Sequence, residues 1–180
     1  VNCQDNTPSI YNTGLVNFFM GALNVEKNPQ PSLVFIPSSS VQKQLIWGLK
    51  AGVFSYLPAR RYNLMAYAQS NTELNCVQWL LDGLAFSLSP ETNKQKAYTI
   101  DQTIEISRNF LTKTNYQAQN IPFSWWRRIG ARLFYHGVLR LDEHDHYPHL
   151  PGRYPVTSVE SLLTWMTAQD PQSQRTVLYK

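Results

Sequence analysis

The sequence predicts an α+β domain in which a small, mainly antiparallel sheet packs with several helices. Three observations carry that reading. Stretches with helical apolar spacing alternate with short apolar runs of strand length. Capping patterns stand in front of several of the helical stretches. The 180 residues, 43% of them hydrophobic, are enough for one real core, and neither repeats nor a linker-like stretch divides them. The expected organisation is therefore one domain over residues 1–180.

The elements follow in order. Tyr11, Leu15, Phe18, Phe19 and Ala22 share a helical face, which predicts a helix over 11–22. The run 33–36 predicts a short buried strand that Pro37 stops. Ser38-Ser39-Ser40 then caps a helix with Val41, Leu45 and Leu49 on one face and Gly52 at its end. Residues 62–68 read as a strand. Ser70-x-x-Glu73 is a capping-box pattern for the next helix, with Asn71, Thr72 and Asn75 as alternative caps and Val77, Leu80, Leu81 and Leu84 as the core face. Residues 87–97 form a polar loop. Thr99-x-x-Gln102 opens a helix carrying Ile100, Ile104, Ser107 and Leu111 on one side. An aromatic-rich loop spans 120–126 and a strand spans 132–141. That strand has Arg132, Phe134, His136, Val138 and Arg140 on one face. A loop rich in acids and histidines covers 142–152. Thr157-x-x-Glu160 opens a last helix through Leu162, Leu163 and Trp165, and Val177-Leu178-Tyr179 reads as a final short strand.

Composition narrows the function classes. The net charge of +4 is spread out, with Arg60-Arg61 and Arg127-Arg128 the basic doublets. A nucleic-acid binder needs a denser basic stripe, so no nucleic-acid partner is expected. No apolar run approaches the ~18–20 residues that cross a bilayer, so no transmembrane segment is expected. Nothing in the sequence asks for a cofactor. The two cysteines, Cys3 and Cys76, form no C-x-x-C, which argues against a thiol-redox motif or a Cys-rich zinc site. In an exported chain they could simply be bonded to each other.

Cys76 lies where chemistry could start. It follows Asn75 in a run that reads as a helix start, and the positive end of a helix favours a thiolate. If Asn75 is the cap, Cys76 is the first helical residue. A thiol nucleophile also needs an imidazole base and a polar group to orient it. His136, His144, His146 and His149 all lie downstream. A helix-borne thiol followed by a strand-borne His is the order of papain-like architectures, which fits His136; His144, beside Asp142 and Asp145, is the second candidate base. The segment from Asp142 through His149 also has the ligand types of a Zn²⁺, Mn²⁺ or Fe²⁺ site. Its spacing fits no ordered motif, and a solvated loop is the preferred reading, with no metal assigned. Trp79, and Trp125-Trp126-Arg127 in the loop after Pro122, could stack on sugar rings or meet a partner.

Several stretches resemble an uncharacterised bacterial family, the domain of unknown function 2145. They are Tyr11-Asn12-Thr13-Gly14-Leu15, Arg61-Tyr62-Asn63-Leu64, Asn75-Cys76-Val77-Gln78-Trp79, Gly130-Ala131-Arg132-Leu133-Phe134, Leu141-Asp142-Glu143-His144 and Val156-Thr157-Ser158-Val159-Glu160. The resemblance covers nearly the whole chain and carries no activity with it. It implies an exported, periplasmic or secreted protein, and a further segment upstream of Val1 that contains a Ser-His-x-Gly-like motif. It also implies a likeness to the circularly permuted papain-like amidases of the NlpC superfamily, in which His precedes Cys. On that analogy the base is an upstream His from an N-terminal segment of the same precursor. The acid-acid-His pattern, by contrast, favours His144 over His136.

Two functional expectations follow. The first is a papain-like thiol hydrolase or acyltransferase of the bacterial envelope, acting on amide bonds of peptidoglycan stem peptides or proteins. Cys76 would be the nucleophile, His144 the base, Asp142 its orienting carboxylate, and Asn75 or Gln78 a donor to the oxyanion. The second is a non-catalytic exported protein of degenerate papain-like fold that binds a protein or glycan through Trp125 and Trp126. The first needs Cys76 free and exposed; the second tolerates it buried or bonded to Cys3.

Overall fold

The computed structural model describes residues 32–53, 61–63, 65–68, 70, 72–92, 97–122, 124 and 152–178. The helix expected over 11–22 and the strand expected over 132–141 lie outside them. The described elements run β1 (Ser32–Ile36), α1 (Ser39–Lys50), β2 (Arg61–Tyr62), β3 (Glu73–Leu74), α2 (Cys76–Leu88), α3 (Ile100–Lys113), β4 (Gln119–Pro122), β5 (Arg153–Val156), α4 (Val159–Gln169) and β6 (Gln174–Leu178). The class is α+β. The strands pair two by two: β1 with β6 and β4 with β5 antiparallel, and β2 with β3 parallel.

α2 is the central element. From Leu81 to Ser87 every residue is buried, as expected of a helix that is apolar nearly all round. It packs against α3, α1 and α4. The main core holds Leu81, Leu84, Ala85 and Phe86 of α2, Leu111 of α3, and Leu162, Trp165 and Met166 of α4. Phe86 stacks on Trp47 at 6.0 Å and meets Tyr98 edge-on at 5.1 Å, while Trp165 takes Phe110 and Tyr116 edge-on. Each such buried ring or Leu stabilises by about 1.5–3 kcal/mol relative to exposure. Leu80, expected on the core face, is exposed.

α1 departs from its predicted face. Val41 and Gly48 are buried and Leu45 is half-buried, but Leu49 is 62% exposed. The packed stripe runs through positions 41, 45 and 48, where Gly48 permits close approach, and position 49 lies about 100° further round. Gly52 ends the helix at φ 73°, a left-handed conformation that glycine takes without penalty. Ser38 is the N-cap, yet its side chain makes no capping hydrogen bond. Its N–H instead donates to Asp170 Oδ2 at 2.7 Å, tying the β1–α1 corner to the end of α4. β1 is less buried than its apolar run suggests: Val34 and Phe35 are half-buried and Ile36 is exposed, and among the described residues the strand pairs only with β6.

The strand expected over 62–68 is broken at Asn63. Among its described residues, Arg61 and Tyr62 pair with β3. Asn63 Oδ1 then accepts from Met65 N–H at 3.1 Å and its carbonyl from Ala66 N–H at 3.0 Å, a turn of the kind Asn side chains favour over continued pairing. The chain meets a different strand at Tyr67, which bridges to Val156 of β5. The stretch 120–126, expected as a loop, begins inside β4, and Gln119 to Pro122 pair with β5.

Beneath α2 runs a buried polar network. Arg108 of α3 lies 3.5 Å from the fully buried Asp82 carboxylate of α2. Its two terminal nitrogens donate to the carbonyls of Ala68 (3.0 Å) and Ser70 (2.8 Å). Gln78 Nε2 donates to the same Ala68 carbonyl at 3.0 Å, and Ser107 Oγ donates to the Asp82 carbonyl at 2.9 Å. Arg108→Met leaves the Asp82 carboxylate without its cation and removes one donor from each of the two carbonyls, so a loss of about 3–5 kcal/mol is expected; urea unfolding of the two proteins measures it.

Tyr116 supplies a pH-dependent term. Its phenol is pushed up from the ordinary value of 10.0, mainly by burial, against the hydrogen bond to Ser161 that pulls it down. The unfolded chain therefore loses this proton first as pH rises. The stabilisation is complete below about pH 10 and is lost as pH rises through the folded value. Urea midpoints at pH 8 and pH 10.5 should fall less between the two conditions in Tyr116→Phe than in the wild type. An equal fall would disprove the assignment.

Candidate functional site

The site forms where β3 runs into α2. Glu73, Leu74 and Asn75 are all buried. Asn75 is the N-cap of α2: its Oδ1 accepts from Gln78 N–H at 2.7 Å. Cys76 is thus the first helical residue, facing the positive end of a helix of 13 residues. Ser70-x-x-Glu73 makes a local bond rather than a helix cap. Ser70 Oγ accepts from Glu73 N–H at 2.8 Å and Thr72 N–H at 3.2 Å, which shapes the entry to β3. The Glu73 side chain, expected to close the box, accepts instead from the Asn63 amide.

The same off-by-one competition appears at α4. Thr157, expected as its cap, is buried, and Ser158 takes the position, with Ser161 closing the box. The Thr99–Gln102 box forms as the sequence predicts.

The cap is anchored from three directions. Asn75 Nδ2 donates to the Thr157 carbonyl at 3.1 Å, linking the mouth of α2 to the β5–α4 junction. Gln78 and Arg108 hold Ala68 and Ser70. Parallel pairing with β2 sets Tyr62 opposite Leu74, and Asn63 N–H donates to the Leu74 carbonyl at 2.9 Å.

Within this framework Cys76 is a free cysteine and is exposed. Tyr62 is half-buried; burial first, then its interaction with the nearby Cys76 side chain, push its phenol above its ordinary 10.0. It therefore stays protonated, and a donor, across neutral pH. No signal in the sequence singled out Tyr62; its closeness depends on a strand pair of two residues per strand.

The other predicted residues divide into two groups. Asn75 and Gln78 sit at the site, but their side-chain amides are committed: Asn75 Nδ2 to Thr157 and Gln78 Nε2 to Ala68, both buried. Trp79, one turn beyond Cys76, is half-buried and packs against the main core. Asp142, His144, Trp125, Trp126 and Arg127, together with His136, His146 and His149, lie outside the described residues. Among the described residues no group of three or more His, Cys, Asp or Glu is placed to hold a metal ion. No described helix is long and apolar enough to cross a membrane.

Asn75→Ala removes both the cap and the tie to Thr157, and should cost about 2 kcal/mol. Asn75→Asp keeps an acceptor for the cap and should recover about half of that loss. Urea unfolding distinguishes these. Equal stability of the Ala and Asp variants would mean that the cap is not what holds this helix end.

No curated protein and no solved structure gives a match to this chain. Residues 1–166 match the family described as an uncharacterized protein conserved in bacteria, the domain of unknown function 2145. With the match spanning nearly the whole chain, the protein belongs to that family.

Proposed function

We propose that this protein is a thiol hydrolase or acyltransferase of the bacterial envelope, acting on amide bonds in peptidoglycan stem peptides or proteins. One observation carries the reading: Cys76 is free and exposed on the first turn of α2, while the residues that hold it there are buried. A structural cysteine gains nothing from that position, because Asn75 already caps the helix.

The proposed chemistry is nucleophilic. The sulfur attacks the amide carbonyl carbon, the amine departs, and water releases the acyl group from the thioester. The helix terminus stabilises negative charge developing at the sulfur and at the carbonyl oxygen, since the first N–H groups of a helix have no intrahelical acceptor. His144 is the proposed base, oriented by Asp142, on the strength of the family's acid-acid-His pattern; a His from an upstream segment of the precursor is the other source. The papain-like comparison belongs to this proposal.

Native protein treated with iodoacetamide should be alkylated at Cys76, as read by peptide mass spectrometry. Cys76→Ser should cut amide hydrolysis, assayed on stem peptides and on a protein substrate, by at least about 10³-fold. As an exposed substitution it should change stability by no more than about 0.5 kcal/mol. Alkylation only after unfolding would sink the reading. So would a Ser variant with undiminished turnover.

A further inference from the structure

An acyl-transfer site needs a donor aimed at the oxygen that becomes negative when the carbonyl is attacked. The two side chains that the sequence offers for this role are spent on the fold. Asn75 Nδ2 is held by the Thr157 carbonyl and Gln78 Nε2 by the Ala68 carbonyl, and both side chains are buried. Releasing Asn75 from the Thr157 carbonyl, or Gln78 from the Ala68 carbonyl that it shares with Arg108, would break a buried hydrogen bond.

Tyr62 is differently placed. The parallel β2–β3 pair aligns Tyr62 with Leu74, two residues before Cys76. The Asn63–Leu74 hydrogen bond of 2.9 Å closes that pairing beside the start of α2. The Tyr62 phenol lies near enough to Cys76 for the sulfur to raise its ionisation. Tyr62 is half-buried and Cys76 is exposed.

We infer that Tyr62 is a catalytic hydrogen-bond donor of this site: it holds the sulfur before attack and passes its hydrogen bond to the carbonyl oxygen during attack. The inference rests on Cys76 being the nucleophile. When the S–C bond forms, the carbonyl π pair moves to oxygen and the sulfur loses its charge. The better acceptor within reach of the phenol is then the oxygen. No proton leaves Tyr62; its O–H changes acceptor. The raised ionisation of Tyr62 suits this role, because a phenolate could not donate.

Two reagents separate this role from general support of the thiol. Acetylation by p-nitrophenyl acetate forms an S–C bond, breaks the ester C–O bond and expels p-nitrophenolate through an oxyanion. Alkylation by iodoacetamide forms an S–C bond and expels iodide, leaving its carbonyl untouched. The rate of each at Cys76 is read by peptide mass spectrometry, with Cys76→Ser as the blank. Tyr62→Phe should slow acetylation by about 100-fold. It should change alkylation by less than about 10-fold, the size expected for loss of one hydrogen bond to the sulfur. Tyr62→His, which restores a donor, should recover part of the acetylation rate alone. Should the Phe variant fail to fold, Tyr62→Leu against Tyr62→His makes the same comparison. Equal effects on the two reactions, or no effect on either, overturn the inference. A wild-type Cys76 that is alkylated but never acetylated overturns it while leaving the reactive thiol in place. A Cys76 inert to both reagents overturns it together with the reading on which it rests.

Discussion

The arrangement around Cys76 depends on Arg108. Its guanidinium lies against a carboxylate on α2 and donates to two carbonyls of the chain that leads into β3. An arginine suits this place because its donors are fixed in one plane and its charge persists at any pH the protein meets. A lysine could neutralise Asp82, but its point charge could not also reach both carbonyls in fixed directions. Ala68 and Ser70 lie in a stretch that has lost its sheet pairing at Asn63. Arg108 donates to both of their carbonyls, with Gln78 a second donor at Ala68, and buried backbone groups are rarely left unpaired. The ion pair thus does more than join two helices: it makes an irregular segment compatible with the interior.

From that segment the order passes directly to the thiol. Ser70 is fixed through its carbonyl by Arg108, and its hydroxyl receives the N–H groups of Thr72 and Glu73. Those bonds set the direction in which β3 starts. β3 is two residues long, and Asn75 follows it at once as the cap of α2. The proposed role of Cys76 would need support of this kind, since a shift of about 1 Å in a reacting group can cost 10²-fold in rate.

What was legible in the sequence was whatever local chemistry decides. The Thr99–Gln102 box formed because both partners lie on exposed turns with no rival use. At Thr157 and at Ser70–Glu73 the same pattern misled by position, since tertiary burial assigned those side chains elsewhere. Leu49 and Leu80 fell on the wrong side because a face is set by what packs against it as well as by period. Arg108 was invisible as an organiser. Its partners lie 40 and 38 residues away for the two carbonyls, and nothing in the spacing marks one exposed-looking arginine on an amphipathic helix as the one that turns inward. The helix start at Cys76 was legible because an Asn cap has the same physical consequence whatever the fold. The place of Tyr62 opposite Leu74 was not, since it comes from strand pairing.

The contrast between Cys76 and its neighbours bears on how function and stability are divided here. Glu73, Leu74, Asn75 and Gln78 are buried and hydrogen-bonded or packed, each at an energetic cost if removed. Cys76, in their midst, is exposed. Hydrophobic burial cannot account for a cysteine there, since the thiol is among the side chains most often found inside and gains little outside. Capping cannot account for it either, with Asn75 in that role. The framework is therefore costly to alter and the thiol is not. A side chain that stability does not require, held by many that it does, is what the proposed role of Cys76 would need.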